Sequence, residues 1–224
     1  LNAMKYIPDG SIDAIITDPP YWTTACKWDT VIPFDFMWAE LKRIIKPNGA
    51  IVLFWSEPFS SALRMSNIKQ YKYDWKWIKS RTVWFLNAKN APLKKNEDII
   101  VFSKWATANN NKNRMEYYPQ WLIEINKVKK SVSQSDETIV WSRPSRNKDY
   151  IEKYEWYPSN IIEFKNESKQ IHPTQKPVAL IEYLIKTYTN EWETVLDFTM
   201  WSWTTWVACK NTNRNFIGIE KDEK

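Results

Sequence analysis

The chain has 224 residues, 43% of them hydrophobic, which suits one domain with a full core and leaves room for an insertion. Its 32 basic against 26 acidic residues give a net charge of +6, compatible with a polyanionic partner but not diagnostic of one. One histidine, His172, and two distant cysteines, Cys26 and Cys209, argue against a zinc site and for a reducing compartment; no apolar run approaches the ~18 residues of a membrane span, and no signal-peptide pattern opens the chain.

In chain order, residues 12–17 (IDAIIT) predict a short buried strand that ends at Asp18-Pro19-Pro20, where two prolines break the ladder and force an extended turn. Apolar residues at Phe34, Met37, Trp38, Leu41, Ile44 and Ile45 have helical spacing, and Pro47-Asn48-Gly49 should stop that helix. Residues 50–54 predict a second buried strand, 58–68 a helix, and 73–78 and 98–102 two further strands. The stretch 76–95 holds Lys76, Lys79, Arg81, Lys89, Lys94 and Lys95 without an acid, a pattern that is most often a solvated face. From 104 to 170 periodicity fails, and the segment predicts an inserted region of irregular structure. Order returns with a helix over 177–188 that has proline at its start, a strand over 194–198, a helix over 204–211 and a strand over 215–220. Strands alternating with helices imply an α/β fold with a mainly parallel sheet covered on both faces.

Two segments carry chemistry. Asp18-Pro19-Pro20-Tyr21 follows a strand, where open α/β sheets bind ligands. A carboxylate and a rigid carbonyl there can accept both N–H bonds of an exocyclic base amine and favour a pyramidal nitrogen. Tyr21 offers a ring on which an extruded base stacks, worth about 1–3 kcal/mol. An ordinary Asp/Pro turn is the plainer alternative. The second segment, residues 194–205, reads strand, short loop, helix, an architecture that binds nucleotide-like cofactors; Glu220, at the end of the next strand, is placed to accept ribose hydroxyls. Taken alone, a βαβ unit with no ligand has nearly equal claim.

Together with His172-Pro173-Thr174-Gln175-Lys176-Pro177 and Asn215-Phe216-Ile217-Gly218-Ile219-Glu220, these segments resemble the β group of DNA adenine-N6 methyltransferases, in the permuted order catalytic motif, variable region, cofactor loop. The resemblance spans essentially the whole chain. It implies a Rossmann-like class I methyltransferase sheet forming one catalytic domain over 1–224, clipped at both ends, with residues 104–170 as the target-recognition region. It implies methyl transfer from S-adenosylmethionine to adenine N6 in a specific duplex sequence after base flipping, with no metal. Asp18, Pro19, Pro20 and Tyr21 would form the base pocket. Asp197, Phe198, Trp201, Ser202, Trp203, Thr204, Thr205 and Glu220 would border the cofactor, with Thr174 and Lys176 at its methionine end. Lys127, Lys129, Lys130, Arg143, Arg146 and Lys148 would contact DNA, although for each of them simple surface charge is the favoured reading. Cytosine-N4 methylation is the near alternative; enzymes of that kind more often carry serine where Asp18 stands. A homodimer and a cognate restriction endonuclease are open partners, and the expected setting is the cytoplasm, for a bacterial or phage-encoded enzyme.

The chain departs from the family at its glycines. It has 3 Gly and 15 Trp, against ordinary glycine usage of about 7%. Tryptophan stands at glycine-type positions 22, 55, 84, 141, 156, 192, 201, 203 and 206, and more weakly at 105 and 121, whereas Trp28, Trp38, Trp75 and Trp77 have ordinary aromatic settings. Reading those eleven as glycine gives 14 Gly and 4 Trp. Random substitution would not favour one residue pair so strongly, and a UGA codon assigned to glycine would. Taken literally, an indole at 201 or 203 is expected to obstruct the cofactor, which makes a non-catalytic DNA-binding relic the alternative function.

Overall fold

A computed structural model describes residues 2–20, 32–83, 85–130, 149–166 and 175–221. They form two compact units, one of residues 1–118 and 160–224 and one of 119–159. Tyr21, His172, Thr174, Arg143, Arg146 and Lys148 lie outside the described residues.

The larger unit is built on a seven-stranded sheet. Its strands are β1 (Ile12–Thr17), β2 (Ile45–Trp55), β3 (Tyr71–Val83), β4 (Lys94–Phe102), β7 (Ile161–Glu163), β8 (Thr194–Asp197) and β9 (Asn215–Gly218), in the order β7-β3-β4-β2-β1-β8-β9. The pairs β1/β2, β1/β8, β8/β9 and β3/β7 are parallel, and β4 alone runs against its neighbours. Four helices cover the faces: α1 (Phe34–Ile44), α2 (Phe59–Ser66), α3 (Val178–Tyr188) and α4 (Thr204–Asn211). None of the described helices is long and apolar enough to cross a membrane.

Period-two alternation sends side chains from each strand into two cores. Ala14, Ile16, Val52, Phe54, Trp75 and Val101 pack with α3 and α4, whereas Ile15, Ile51, Leu53, Ile100 and Phe102 pack with α1 and α2. The central strands are apolar on both faces, as a doubly covered sheet requires.

Several bounds differ from the sequence reading. Helix α1 runs directly into β2, and Pro47-Asn48-Gly49 falls inside a register shift opposite Asp13 rather than in a separate turn. Gly49 is needed there, because a Cβ would lie 2.6 Å from the Asp13 carbonyl oxygen. Strands β3 and β4 extend past the predicted 73–78 and 98–102, because their hairpin continues on polar residues that carry no hydrophobic signal. The stretch 104–170, read as irregular, holds three strands. In the smaller unit β5 (Ile123–Lys129) pairs with β6 (Tyr150–Glu155), and β7 adds an edge to the main sheet. The exposed, charge-rich sequences of β5 and β6 hide them from a periodicity argument, and β7, three residues with only Ile162 buried, is too short to show one.

Trp121, Trp156 and Trp192 take left-handed backbone, with φ of 63°, 64° and 68°. For a residue with a β-carbon this costs about 1–2 kcal/mol each, a sizeable part of the ~5–15 kcal/mol by which domains are stable.

Gly49→Ala should destabilise the larger unit by about 1–3 kcal/mol, the cost typical of overpacking, read as a lower urea midpoint with an unchanged slope.

Candidate functional site

Chain order around the sheet reverses between β1 and β8, since β1 leads through α1 to β2 on one side and β8 leads through α4 to β9 on the other. The crevice beyond the carboxyl ends of two such strands is where an open α/β sheet binds its ligand. Thr17 and Asp18 lie at the end of β1, and Asp197 ends β8. Between them opens a cleft, lined among others by Thr17, Asp18, Phe54, Lys176, Asp197 and Trp201.

Asp197 ties the cleft together. Its Oδ1 accepts the Thr17 hydroxyl (2.7 Å) and the Thr199 N–H (3.2 Å), and its Oδ2 accepts the Thr205 hydroxyl (2.7 Å). Burial raises its pKa against the pull of these bonds. Three donors on β1, the loop and α4 thus hold the Asp197 carboxylate, which makes it an architectural group bordering the cleft. At the opposite, amino ends of the strands Asp13 ties β1 to β8 by accepting the Thr194 N–H (2.9 Å) and pairs with Lys46 of β2.

Asp18 has a different environment. Its Oδ2 meets Lys176 Nζ at 2.7 Å, and its Oδ1 is buried with no hydrogen-bond partner among the described residues. Lys176 precedes Pro177, whose carbonyl accepts the first N–H bonds of α3. The same ammonium pairs with Glu97 of β4 at 2.8 Å and lies 5.1 Å from the centre of the Phe54 ring. Glu97, 2% exposed, also binds Lys79 at 2.6 Å. Glu97 therefore has two cations and its pKa is lowered by them, despite burial. Asp18 shares one cation with a competing carboxylate. Burial first, and Glu97 after it, push its carboxyl up to about 6 against the pull of Lys176. Sequence reasoning missed Glu97. An acid next to Asp98 before the apolar run 99–102 carries no motif, and only the sheet pairing of β4 brings it to Lys176.

The remaining candidates fall as follows. Ser202, Thr204 and Thr205 line the cleft, with Ser202 and Thr204 hydroxyls 2.9 Å apart, and Phe198 is buried in the core beneath. Glu220 lies exposed just past β9. Trp201 lines the cleft, and its indole N–H donates to the Asp18 carbonyl at 3.0 Å. Trp203, expected to obstruct the cleft equally, instead turns outward, 64% exposed against Trp206. In the smaller unit Lys127, Lys129 and Lys130 are exposed, and Lys129 pairs with Glu152 at 3.1 Å. The basic stretch 76–95 divides. Lys76 is paired with Asp74 and Asp98 and Lys79 with Glu97, whereas Arg81, Lys89 and Lys95 are exposed around Phe85 and Leu86, which are 80% and 96% exposed.

Comparison with known proteins adds a family. The DNA methylase model N6_N4_Mtase matches residues 12–224. The type II methyltransferase M.HpaI of Haemophilus parainfluenzae is 27% identical over 98% of this chain and 67% of its own length. M.HinfI of Haemophilus influenzae is 26% identical over 100% of this chain and 63% of its own. The DNA adenine methyltransferase YhdJ of Escherichia coli K12 is 27% identical over 98% and 75%. The chain thus spans about two thirds of the length of the first two. Among solved structures, M1.HpyAVI with SAM superposes with a TM-score of 0.58 at 27% identity, covering 95% of this chain and 84% of that one. The cytosine-N4-specific PvuII DNA methyltransferase gives 0.64 at 15% identity, over 98% and 78%, a likeness of fold.

Glu97→Gln should cost about 3–5 kcal/mol, the usual penalty for stripping one partner from a buried ion network, measured as unfolding free energy in urea at neutral pH.

Proposed function

The chain belongs to the N6/N4 DNA methylase family, and from that premise we propose that it methylates the N6 amine of adenine in double-stranded DNA with S-adenosylmethionine as donor. The observation that carries this is the Asp18 carboxylate at the carboxyl end of β1, one oxygen held by Lys176 and the other buried without a hydrogen-bond partner among the described residues. An extruded base amine supplies the N–H that such an acceptor lacks. The Pro19 carbonyl would take the second N–H, which localises the nitrogen lone pair away from the ring.

The scaffold suits the donor: a strand-loop-helix from β8 to α4 pinned by Asp197, threonine hydroxyls at the helix start, and Glu220 past β9 as the ribose acceptor. One residue does not suit it, the Trp201 ring in the cleft. S-adenosylmethionine supplies a methyl cation equivalent. Asp18 holds the amine and takes up the proton that the methylated nitrogen must shed, a task matched to a carboxyl pushed up to about 6. Lys176 fixes that carboxylate in place.

DNA would lie over the β3–β4 hairpin, where Arg81, Lys89 and Lys95 meet phosphates and exposed Phe85 and Leu86 can fill the space that a flipped base leaves. Lys127, Lys129 and Lys130, with Arg143, Arg146 and Lys148, would serve the target-recognition region. A cognate endonuclease reading the same sequence fits the type II systems named for M.HpaI and M.HinfI, and the cytoplasm supplies both DNA and donor. Adenine is preferred to cytosine on the carboxylate at position 18, in line with the adenine specificity named for YhdJ.

With Trp201→Gly and a methyl-labelled donor, nucleoside analysis of treated DNA should show N6-methyladenine, and Asp18→Asn should lower the rate by about 10²–10³-fold, as for loss of one oriented polar group. Labelled N4-methylcytosine, or DNA binding without label, would replace this reading with the cytosine enzyme or the relic. Because the working form of Asp18 is ionised, the rate should be full above about pH 6 and fall as pH drops through that value. Replacing Arg81, Lys89 and Lys95 by alanine should flatten the salt dependence of DNA affinity by about one unit of slope for each phosphate no longer neutralised.

A further inference from the structure

Among the described tryptophans, two groups differ sharply in setting. Trp38, Trp75 and Trp77 are at most 4% exposed, and their indole N–H groups donate to Ser66 Oγ, Tyr188 Oη and the Phe164 carbonyl at 2.8, 2.7 and 3.0 Å. These are ordinary core tryptophans. Trp121, Trp156 and Trp192 are 63%, 71% and 72% exposed and stand at φ of 63°, 64° and 68°. Their rings gain little from burial, while their backbones adopt a conformation that a β-carbon opposes and glycine takes freely. The other described residues with φ in this region are Gly10, Asn126 and Asn213, types that tolerate it. The geometry at Trp192 is fixed by its surroundings: its N–H donates to the Asn213 carbonyl at 2.7 Å and its own carbonyl accepts from the Asn215 side chain. Trp201 is a different case, an indole within the cleft bonded to the carbonyl of the residue proposed to hold the base.

We infer that positions 121, 156, 192 and 201 are glycine in the protein its source cell makes, because the codon written here as tryptophan is UGA, assigned there to glycine. One codon assignment extends the replacement to positions 22, 55, 84, 105, 141, 203 and 206 and leaves Trp28, Trp38, Trp75 and Trp77 as written. A single reassigned codon accounts for the 3 Gly and 15 Trp of the chain, which independent substitutions at eleven sites do not. The argument at position 201 rests on the methyltransferase reading; the argument at 121, 156 and 192 rests on backbone geometry alone. Trp55, read from the sequence as a glycine-type position, is instead buried at the end of β2 against the Phe34 ring, a setting that suits tryptophan, so its place in the replacement rests on the shared codon alone.

Mass spectrometry of the protein from its source cells decides the matter. The tryptic peptide 187–210 carries positions 192, 201, 203 and 206, whereas peptide 28–42 carries Trp28 and Trp38. The expected result is that peptide 187–210 is lighter by four tryptophan-to-glycine replacements while 28–42 has its written mass. Peptide 187–210 at its written mass would overturn the inference. In recombinant protein, Trp192→Gly should raise the thermal midpoint by about 2–4 °C, the shift expected from relieving one strained residue in a domain of this size; an unchanged or lower midpoint counts against it. Neither readout involves methyl transfer, so the activity and the glycine assignment stand or fall separately.

Discussion

One buried ammonium organises the candidate site. Lys176 lies between two carboxylates that reach it from different strands, Asp18 after β1 and Glu97 on β4. Taking ions out of water costs several kcal/mol each, so such a cluster persists only when every charge is paired. Here the pairing is uneven. Glu97 has Lys79 as well as Lys176, and among the described residues Asp18 has Lys176 alone. Asp18 is therefore the member whose proton affinity rises, and it keeps a buried oxygen open. An acceptor so placed, pre-oriented in a poorly solvated cleft, suits a base amine better than it suits water.

The sheet makes this arrangement possible. Reversal of chain order between β1 and β8 opens the cleft, and Asp197 closes its floor by binding the loop, the helix start and the neighbouring strand at once. The antiparallel β4 runs beside β2 with its Glu97 end toward the carboxyl ends of the parallel strands. A parallel β4 would carry that acid to the opposite edge. The one reversed strand is thus what lets Glu97 meet Lys176.

Much of this was legible in the sequence. Apolar runs marked β1, β8 and the centre of β2, helical spacing marked α1, and proline at position 177 marked the start of α3. Asp18 and Lys176 were marked by motifs, but their direct contact was not, because they are 158 residues apart in sequence and joined by the fold. Glu97 was invisible because an acid pair, Glu97-Asp98, before an apolar run has no pattern that names a partner. Strands β5 and β6 were missed because their residues are mostly exposed and rich in charge, so pairing rather than burial defines them, and β7 because three residues carry no period. Trp201 and Trp203 were indistinguishable as letters; the start of α4 sends one ring into the cleft and the other to solvent.

The uneven sharing of Lys176 is the central claim, and the titration of Asp18 reads it directly. Carbon-13 NMR of protein labelled at the aspartate carboxyl should show Asp18 titrating near pH 6, and in Glu97→Gln the midpoint should move down, since a neighbouring negative charge has been removed while Lys176 remains. An Asp18 that titrates in the ordinary carboxylate range in both proteins would contradict the account.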